Sequence, residues 1–220
     1  MKKKSCIPIF AFLITLVSFP LYAGEKPDEW EQYIWQGNIT LSASETELRI
    51  IAKGDRKEAL GKIYRTFDNA AGIFAEVNIS QSSGEVGVGL RQNVGTAADG
   101  NRIMAEVYVN EYNGNKRIQY KVRKRDPDGS TLKMYARGYL GDFQNAWENG
   151  RNLLIAFARV NDEIWFYTPE KGAGLVKILM MESMTDAPDE AMEIWTWTQD
   201  GSQHSFSATV KNVGILYPWW

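Results

Sequence analysis

The sequence predicts an all-β chain, folded as a two-layer antiparallel β-sandwich of the jelly-roll type. Beyond residue 30 the apolar residues recur mainly at every second position, in short runs separated by residues typical of tight turns. The composition agrees, because 44% of the 220 residues are hydrophobic, 12% aromatic and 24% charged, as in a folded globular chain. Many short strands joined by hairpin turns are typical of antiparallel sandwiches and barrels.

Residues 1–23 have the pattern of a secretory signal peptide. A cluster of lysines is followed by an apolar stretch, and residues 21–23 resemble a cleavage tail before Gly24. The apolar stretch is shorter than the roughly 20 residues of a membrane-spanning helix, and Pro8 and Pro20 break it. We therefore expect cleavage, no transmembrane span in the mature chain, and a periplasmic or secreted location in a bacterial cell envelope.

Residues 24–220 are predicted to form a single domain, since they contain no internal repeat and no low-complexity linker. The full chain has a net charge of −2, and removal of the three lysines of the signal segment lowers it to −5. A net acidic chain without a basic cluster is a poor partner for nucleic acid. The oligomeric state stays open.

The cysteine and histidine content excludes several kinds of site. The chain has one histidine and one cysteine, Cys6, which lies in the signal segment. The mature chain would therefore have no disulfide. Multi-His and multi-Cys metal sites and Cys/His nucleophile pairs are also excluded. We expect no metal and no other cofactor.

The predicted strands follow one another from residue 73 to residue 217. In chain order they span residues 73–80, 86–91, 103–112, 117–125, 132–139, 153–159, 163–167, 175–179, 192–198, 206–210 and 213–217. Only residues 55–62 and 182–192 have a helix-friendly composition, and Pro188 interrupts the second of these segments.

Turn residues separate the strands at defined places. Asn113-Gly114 lies between two alternating runs, which is the strongest short signal for a hairpin. The segment 126–129, Asp-Pro-Asp-Gly, is a further turn, because proline fixes φ and glycine accepts a positive φ. A third hairpin is predicted across residues 160–162. The alternation between these turns assigns six residues to the core: Ile73, Val77, Val88, Val107, Val122 and Ile155.

The order of several segments resembles the concanavalin A-like lectin/glucanase jelly-roll superfamily, which includes laminin G-like domains. The resemblance covers most of residues 30–217. The resemblance begins with a Trp-containing edge strand at residues 35–39 and two glycine-containing strands at 71–77 and 86–91. It continues with a Trp-x-x-Gly turn and its following strand at 147–156, and with an aromatic strand at 161–167. It ends with the closing run at 206–217. It implies a lectin-like β-sandwich over residues 24–220. The Glu-x-Asp-x-Glu strand of the superfamily's glycoside hydrolases does not occur, so the resemblance does not carry their activity over.

A polar face is predicted if the strands at 73–80, 86–91, 103–112 and 117–125 share one sheet. Their positions opposite the core carry Glu76, Arg91, Glu106, Tyr108, Asn110 and Arg123, together with Asn78, Gln119 and Lys121. Carboxylates, amides, a tyrosine and guanidinium groups form hydrogen bonds with sugar hydroxyls. The resemblance also implies that a ligand lies on such a face. The alternative is an ordinary solvated face of an antiparallel sheet.

Two carboxylates of this face, Glu76 and Glu106, form a candidate pair for glycoside hydrolysis. That chemistry requires two carboxyl groups about 5 Å apart for retention, or about 6.5–9.5 Å apart for inversion. The alternative is that these carboxylates form salt bridges with Arg91 or Arg123. The sequence also contains Asp99-Gly100-Asn101, a loop whose oxygen atoms are calcium ligands by type but whose density of acids is low.

Aromatic residues alternate on two predicted strands, as Trp165 with Tyr167 and as Trp195 with Trp197. Flat aromatic rings in a row form a platform for the apolar face of a sugar ring. The competing interpretation, which the size of these side chains favours, places them in the sandwich core and leaves Ile164, Phe166 and Ile194 outside.

These observations together predict an exported, non-catalytic, carbohydrate-binding domain of the cell envelope, with a glycan or polysaccharide as its partner. The predicted ligand-binding residues are Glu76, Arg91, Glu106, Tyr108, Asn110 and Arg123, and no catalytic residue is assigned. Two alternatives stay open: a polysaccharide hydrolase or lyase of the same fold, and a structural or protein-interaction β-sandwich.

Overall fold

The computed structural model describes residues 30–36, 38–43, 47–55, 59–67, 70–83, 86–112, 115–185, 190–198 and 203–216. These residues form two antiparallel sheets, one of eight strands and one of seven, which pack around a shared apolar core. The prediction of an all-β, two-layer antiparallel sandwich is confirmed. The predicted signal peptide and its cleavage point lie outside the described residues.

The strands, numbered in chain order, are divided between the two sheets as follows. The eight-stranded sheet has the order β1 (Glu31–Gln36), β4 (Ala59–Phe67), β14 (Glu190–Thr198), β6 (Val86–Ala97), β7 (Arg102–Tyr112), β8 (Asn115–Arg125) and β9 (Thr131–Asp142), and β13 (Met184–Thr185) also pairs with β6. The seven-stranded sheet has the order β12 (Leu175–Leu179), β11 (Glu163–Tyr167), β10 (Leu153–Val160), β5 (Gly72–Ser83), β15 (Gln203–Leu216), β3 (Glu47–Asp55) and β2 (Asn38–Ala43). The short helix α1 (Gln144–Glu148) lies between β9 and β10 in the chain.

Two strands that come late in the chain occupy inner positions of the sheets. β14 lies between β4 and β6, and β15 lies between β3 and β5. Their pairings with these neighbours are antiparallel throughout. Each sheet is therefore built from segments that are far apart in sequence.

The core contains every residue that alternation assigned to it. Ile73, Val77, Val88, Val107, Val122 and Ile155 are all buried, which confirms the predicted pattern. Aromatic rings join the inner faces of the two sheets, since the ring centroids of Tyr120 on β8 and Phe166 on β11 lie 4.9 Å apart. The sandwich interior is thus filled by aliphatic and aromatic side chains from both layers.

The interpretation that placed Trp165 and Tyr167 in the core and Ile164, Phe166 and Ile194 outside it is wrong, while the side chains of Trp195 and Trp197 lie outside the part that the structure describes. Ile164, Phe166 and Ile194 are completely buried in the core, and Trp165, at an alternating position, is only partly buried. Because successive side chains of a strand point to opposite faces, Trp165 lies on the outer face of the seven-stranded sheet. On β14 the register pairs Trp195 with Gly89 and Trp197 with Gly87.

Of the three predicted turns, those at residues 126–129 and 160–162 lie within the described residues. The pair Tyr112–Asn115 is the last of the β7–β8 ladder, and the Asn-Gly turn beyond it lies outside the described residues. At the β8–β9 turn Gly129 has φ +90° and its N–H donates to the carbonyl of Asp126 at 3.0 Å. Asn161 has φ +56° in the β10–β11 turn, as the left-handed position of a tight hairpin requires.

The two segments of helix-friendly composition contain no helix where the structure describes them. β3 ends at Asp55 and β4 begins at Ala59, while β13 and β14 occupy the described ends of the second segment. Residues 55–62 are rich in good helix formers. Pairing of β4 with β1 and β14, together with the complete burial of Ile63, outweighs that propensity.

The predicted runs at 206–210 and 213–217 belong, as far as residue 216, to one strand, β15. A bulge between Lys211 and Gly214 shifts its register against β5, and Asn212 has φ +49° there. The ring of Phe74 lies directly over Gly214, where a Cβ atom would come within 2.1 Å of it. The bulge explains why the sequence pattern changes phase within one strand.

No helix in the described part of the chain is long and apolar enough to cross a membrane.

Candidate functional site

Five of the six predicted ligand-binding residues share the outer face of the eight-stranded sheet. In the ladder across β6, β7, β8 and β9, Arg91 pairs with Glu106, Glu106 with Lys121, and Lys121 with Arg137. Tyr108 and Asn110 continue the same face along β7, and Arg123 continues it along β8, because side chains two apart on a strand point the same way. We call this surface the Glu106 face.

Glu76 is not part of the Glu106 face, which corrects the predicted set. The prediction placed β5 beside β6 in one sheet, but β5 pairs with β10 and β15 in the seven-stranded sheet. Glu76 lies on the outer side of that second sheet, where its carboxylate accepts a hydrogen bond from Asn152 at 2.7 Å. The core of the sandwich therefore separates Glu76 from Glu106.

Glu106 forms a buried ion pair at the centre of the face. Its side chain is completely buried, and Nε of Arg123 donates to Oε1 at 2.7 Å. Nη2 of Arg123 contacts the same oxygen. The other oxygen, Oε2, is buried and has no hydrogen-bond partner among the described residues. Burial of a carboxylate oxygen without a partner raises the free energy of the folded state, because the desolvation of that oxygen is not compensated. A donor that reached Oε2 would therefore be bound favourably.

Tyr108 and Lys121 pack against each other beside this ion pair. Nζ of Lys121 lies 4.6 Å from the centroid of the Tyr108 ring, within the range of a cation–π contact. Burial raises the pKa of Tyr108 to about 12, and the negative charge of Glu106 adds to the shift. Burial lowers the pKa of Lys121, and the charges of Arg123 and Arg137 lower it further, whereas Glu106 opposes this shift.

Tyr108 is more deeply placed than the sequence suggested. The prediction treated it as an outward tyrosine that supports little of the fold, but only 6% of its surface is exposed. Long neighbouring side chains such as Lys121 cover much of the ring. A large truncation at this position therefore removes packing as well as a contact surface.

Two glycines of β6 leave space beside Tyr108. The register pairs Gly89 with Tyr108 and Gly87 with Asn110. A strand position without a side chain allows another group to approach the backbone closely. Oδ1 of Asn110 is buried and, like Oε2 of Glu106, has no hydrogen-bond partner in the described part of the chain. The Glu106 face thus has two unpartnered acceptors on one strand, next to a glycine-lined stretch of β6.

Sequence reasoning placed Lys121 on this face but outside the ligand-binding set, and it missed Arg137, Gly87 and Gly89. The repeat Val-Gly-Val-Gly at 86–89 is visible in the sequence and indicates a strand whose two glycines leave one face without side chains. Arg137 gave no such signal, since its place opposite Lys121 depends on bulges in the β8–β9 ladder.

The loop containing Asp99 is organised by a lysine. Oδ2 of Asp99 accepts a hydrogen bond from Nζ of Lys124 at 2.7 Å, and Oδ1 accepts one from the backbone N–H of Asn101 at 3.2 Å. These hydrogen bonds lower the pKa of Asp99 to about 2. Its carboxylate is already neutralised by Lys124, so the geometry gives no support to a calcium site. Across the described ranges no group of three or more His, Cys, Asp or Glu side chains is placed to hold a metal ion.

The aromatic row on β11 lies on the opposite side of the molecule. Nζ of Lys177 lies 3.6 Å from the centroid of the Trp165 ring, and the indole N–H donates to Glu163 at 2.7 Å. Trp165 is therefore covered on one face by a cation and held in place by a carboxylate.

Comparisons with known proteins identify the fold. No protein-family model matches the sequence, and no curated protein matches it. A legume lectin-like domain from Entamoeba histolytica is 14% identical with a TM-score of 0.52, covering 91% of this chain and 99% of that one. A prokaryotic β-1,3-1,4-glucanase (lichenase) derived from a mouse hindgut metagenome is 10% identical with a TM-score of 0.54, covering 88% and 95%. A functionally unknown protein from Saccharomyces cerevisiae is 8% identical with a TM-score of 0.55, covering 89% and 100%.

At these identities the likeness concerns the fold alone. The chain has the concanavalin A-like jelly-roll fold, as the resemblance of its strand order implied. A shared fold does not fix a function, so the function has to be argued from the Glu106 face itself.

Proposed function

We propose that this domain binds a carbohydrate on the Glu106 face without cleaving it. The observation that carries the proposal is the pair of buried acceptors, Oε2 of Glu106 and Oδ1 of Asn110, which have no partner among the described residues. Buried acceptors in native proteins are nearly always hydrogen-bonded, and the exceptions mark sites where a partner is missing. Sugar hydroxyls are donors of the kind that such acceptors bind.

The spacing of the two acceptors fits an extended ligand. Glu106 and Asn110 are four residues apart on β7, which corresponds to about 13 Å along a strand. Tyr108 lies midway between them and faces Gly89 across the ladder. A ligand lying along β7 would have a buried acceptor beneath each end and the glycine-lined stretch of β6 beside it, and hydrogen bonds to the acceptors require the side chains that cover them to move aside.

The comparisons support a carbohydrate as the ligand. A legume lectin-like domain and a β-1,3-1,4-glucanase share this fold over nearly their whole length. One is named after lectins and the other after its activity on a glucan, which favours a glycan over other partners with hydroxyl groups.

The positions of the carboxylates favour binding over hydrolysis. Glycoside hydrolysis requires two carboxyl groups about 5–9.5 Å apart. Glu76 and Glu106 lie on the outer sides of two sheets, and packed sheets are themselves about 10 Å apart. The candidate catalytic pair is therefore not assembled, and Glu106 is held instead by Arg123.

We also propose that the domain is exported, to the periplasm or beyond. The support is the lysine cluster and apolar stretch of residues 1–23. N-terminal sequencing of the protein from the envelope fraction should give a first residue at or near Gly24. Recovery of an intact Met1 end from membranes would show that the segment is retained.

A glycan-array screen followed by calorimetric titration tests the binding proposal. The parent protein should bind at least one glycan, and Asn110→Ala should weaken that binding about tenfold, the loss expected for one hydrogen bond. Trp165→Ala, on the opposite sheet, is the matched control and should bind as the parent does. Incubation with the same glycan should release no reducing ends.

Each other outcome contradicts a defined part of the proposal. Loss of binding in Trp165→Ala, with Asn110→Ala unaffected, would assign the ligand to the seven-stranded sheet. Accumulation of reducing ends would make the protein a hydrolase or lyase. If no glycan binds, a protein-interaction or structural role replaces the carbohydrate.

A further inference from the structure

We infer that the glycan is anionic, with a carboxylate or sulfate group seated over Lys121 and Arg137. This inference rests on the proposed function and specifies the class of ligand. It follows from the charges of the Glu106 face, their pairing and their exposure.

Cations outnumber carboxylates around the proposed ligand position. One row of the ladder contains Arg91, Lys121 and Arg137 together with two carboxylates, Glu106 and Glu193, of which Glu193 on β14 is the register partner of Arg91. Arg123 lies further along β8. The carboxylate of Glu106 is engaged through Oε1 by Arg123. Glu106 is thus committed to Arg123, and Glu193 is the register partner of Arg91, so the excess of positive charge in the row lies at Lys121 and Arg137.

Lys121 and Arg137 are the cations that a ligand would compensate. Neither has a carboxylate within 4.0 Å in the part of the chain that the structure describes. They are direct partners on adjacent antiparallel strands. Like charges placed directly opposite each other on a sheet destabilise it. Departures of this kind from favourable local pairing are expected at functional sites, where a ligand supplies the missing charge.

The surroundings of Lys121 strengthen the case. Its ammonium group is partly buried against Tyr108, and burial together with Arg123 and Arg137 lowers its pKa. An anion bound here would favour the charged form of Lys121. A neutral sugar would leave both the desolvation and the repulsion uncompensated.

The geometry of the two side chains suits an oxyanion. Arg137 is exposed and its planar guanidinium group is able to bind a carboxylate or sulfate through two parallel hydrogen bonds. Lys121 adds a point charge on the neighbouring strand. Glu106 is the register partner of Lys121, and its atom Oε2 is buried without a partner among the described residues. A hydroxyl of the same sugar residue would reach Oε2 only if the side chains that cover it move aside.

Matched polymer pairs test the inference, because each pair differs only in charge. Calorimetric titration uses polygalacturonate against its methyl ester for the carboxylate, and dextran sulfate against dextran for the sulfate. We expect one charged polymer to bind and its neutral counterpart to bind at least tenfold more weakly. Arg137→Gln and Lys121→Gln should each weaken binding about tenfold. Lys171→Gln removes an exposed cation outside the face and should have no effect. Rising salt should weaken binding of the parent more than of Arg137→Gln.

The outcomes separate this inference from the proposed function. If a neutral glycan binds and is weakened by Asn110→Ala, while neither charged polymer binds better than its neutral counterpart, the carbohydrate function stands and the anionic ligand is wrong. If a polyanion binds but Lys121→Gln, Arg137→Gln and Lys171→Gln all lose the same small amount, the binding is unspecific and the inference is also wrong. If no polymer and no array glycan binds, both fail. Melting temperatures of the variants show whether each loss reflects binding rather than unfolding.

Discussion

Nε of Arg123 lies 2.7 Å from Oε1 of Glu106, and the carboxylate that it contacts is completely buried. This ion pair links β7 to β8 across the outer face of the eight-stranded sheet, where an antiparallel sheet ordinarily meets water. Because Arg123 occupies one oxygen, the carboxylate is fixed with its second oxygen unpartnered. The pair therefore has a structural role and also orients the acceptor that the proposed ligand uses.

Removal of Arg123 should destabilise the protein strongly. Arg123→Ala leaves Glu106 buried without its cation, and an uncompensated buried charge costs about 3 kcal/mol. Urea unfolding measures the change in the free energy of unfolding. Arg117→Ala, which truncates an exposed arginine on the same strand, is the control and should change it by less than about 0.5 kcal/mol. Equal losses in the two variants would show that the ion pair contributes no special stability.

A charge in the middle of β7 should prevent folding. Val107 is completely buried, so Val107→Asp places an unpaired carboxylate in the core at a cost of several kcal/mol. Near-ultraviolet circular dichroism should show loss of the ordered aromatic signal. Leu132→Asp, at a position that is 52% exposed on β9, should retain it. A folded Val107→Asp variant would contradict the assignment of β7 to the centre of the sandwich.

Alkaline pH should destabilise the parent protein through Tyr108. Its pKa is raised from 10.0 to about 12 in the folded state, mainly by burial. The neutral phenol is therefore favoured by folding, and this contribution is complete below pH 10 and lost as the pH rises towards 12. The loss amounts to about 2 kcal/mol. Tyr108→Phe keeps the ring and removes the ionisation, so its melting temperature should fall less than that of the parent between pH 10 and 12. Parallel curves would contradict the burial of the hydroxyl.

Arg159 should hold the β13 segment against the sandwich. Its guanidinium group donates to the backbone carbonyls of Val94 at 3.0 Å, Thr185 at 3.1 Å and Met184 at 3.2 Å. Arg159→Ala leaves these carbonyls without this donor and should lower the free energy of unfolding by about 2 kcal/mol. Hydrogen exchange should become faster at residues 184 and 185. Arg151→Ala is the control: it removes an ion pair between an exposed arginine and Glu170, and it should leave hydrogen exchange at residues 184 and 185 unchanged.

The alternation of apolar residues was enough to predict the architecture and most of the face. Period two fixes which side of a strand is apolar, so Val107 and Val122 were assigned to the core and Glu106 and Arg123 to the opposite side. The Asn-Gly hairpin joins two consecutive strands, which is why the β7–β8 part of the face was predicted as a unit.

The same alternation does not say which sheet a strand joins. Glu76 was assigned to the face because β5 precedes β6, but β5 pairs with β10 and β15, which come much later in the chain. The juxtaposition of Lys121 and Arg137 depends on register shifts within the β8–β9 ladder. Burial of Tyr108 depends on neighbours such as Lys121 that cover its ring. These properties arise from long-range strand pairing and from bulges, and the alternation of residues within one strand contains no information about either.

The inner positions of β14 and β15 determine when in its synthesis the chain can fold. Until residues 190–216 have been made, β4 and β6 lack the strand that joins them, and so do β3 and β5. An incomplete chain therefore presents four open strand edges and no closed core, and its non-local pairings form slowly.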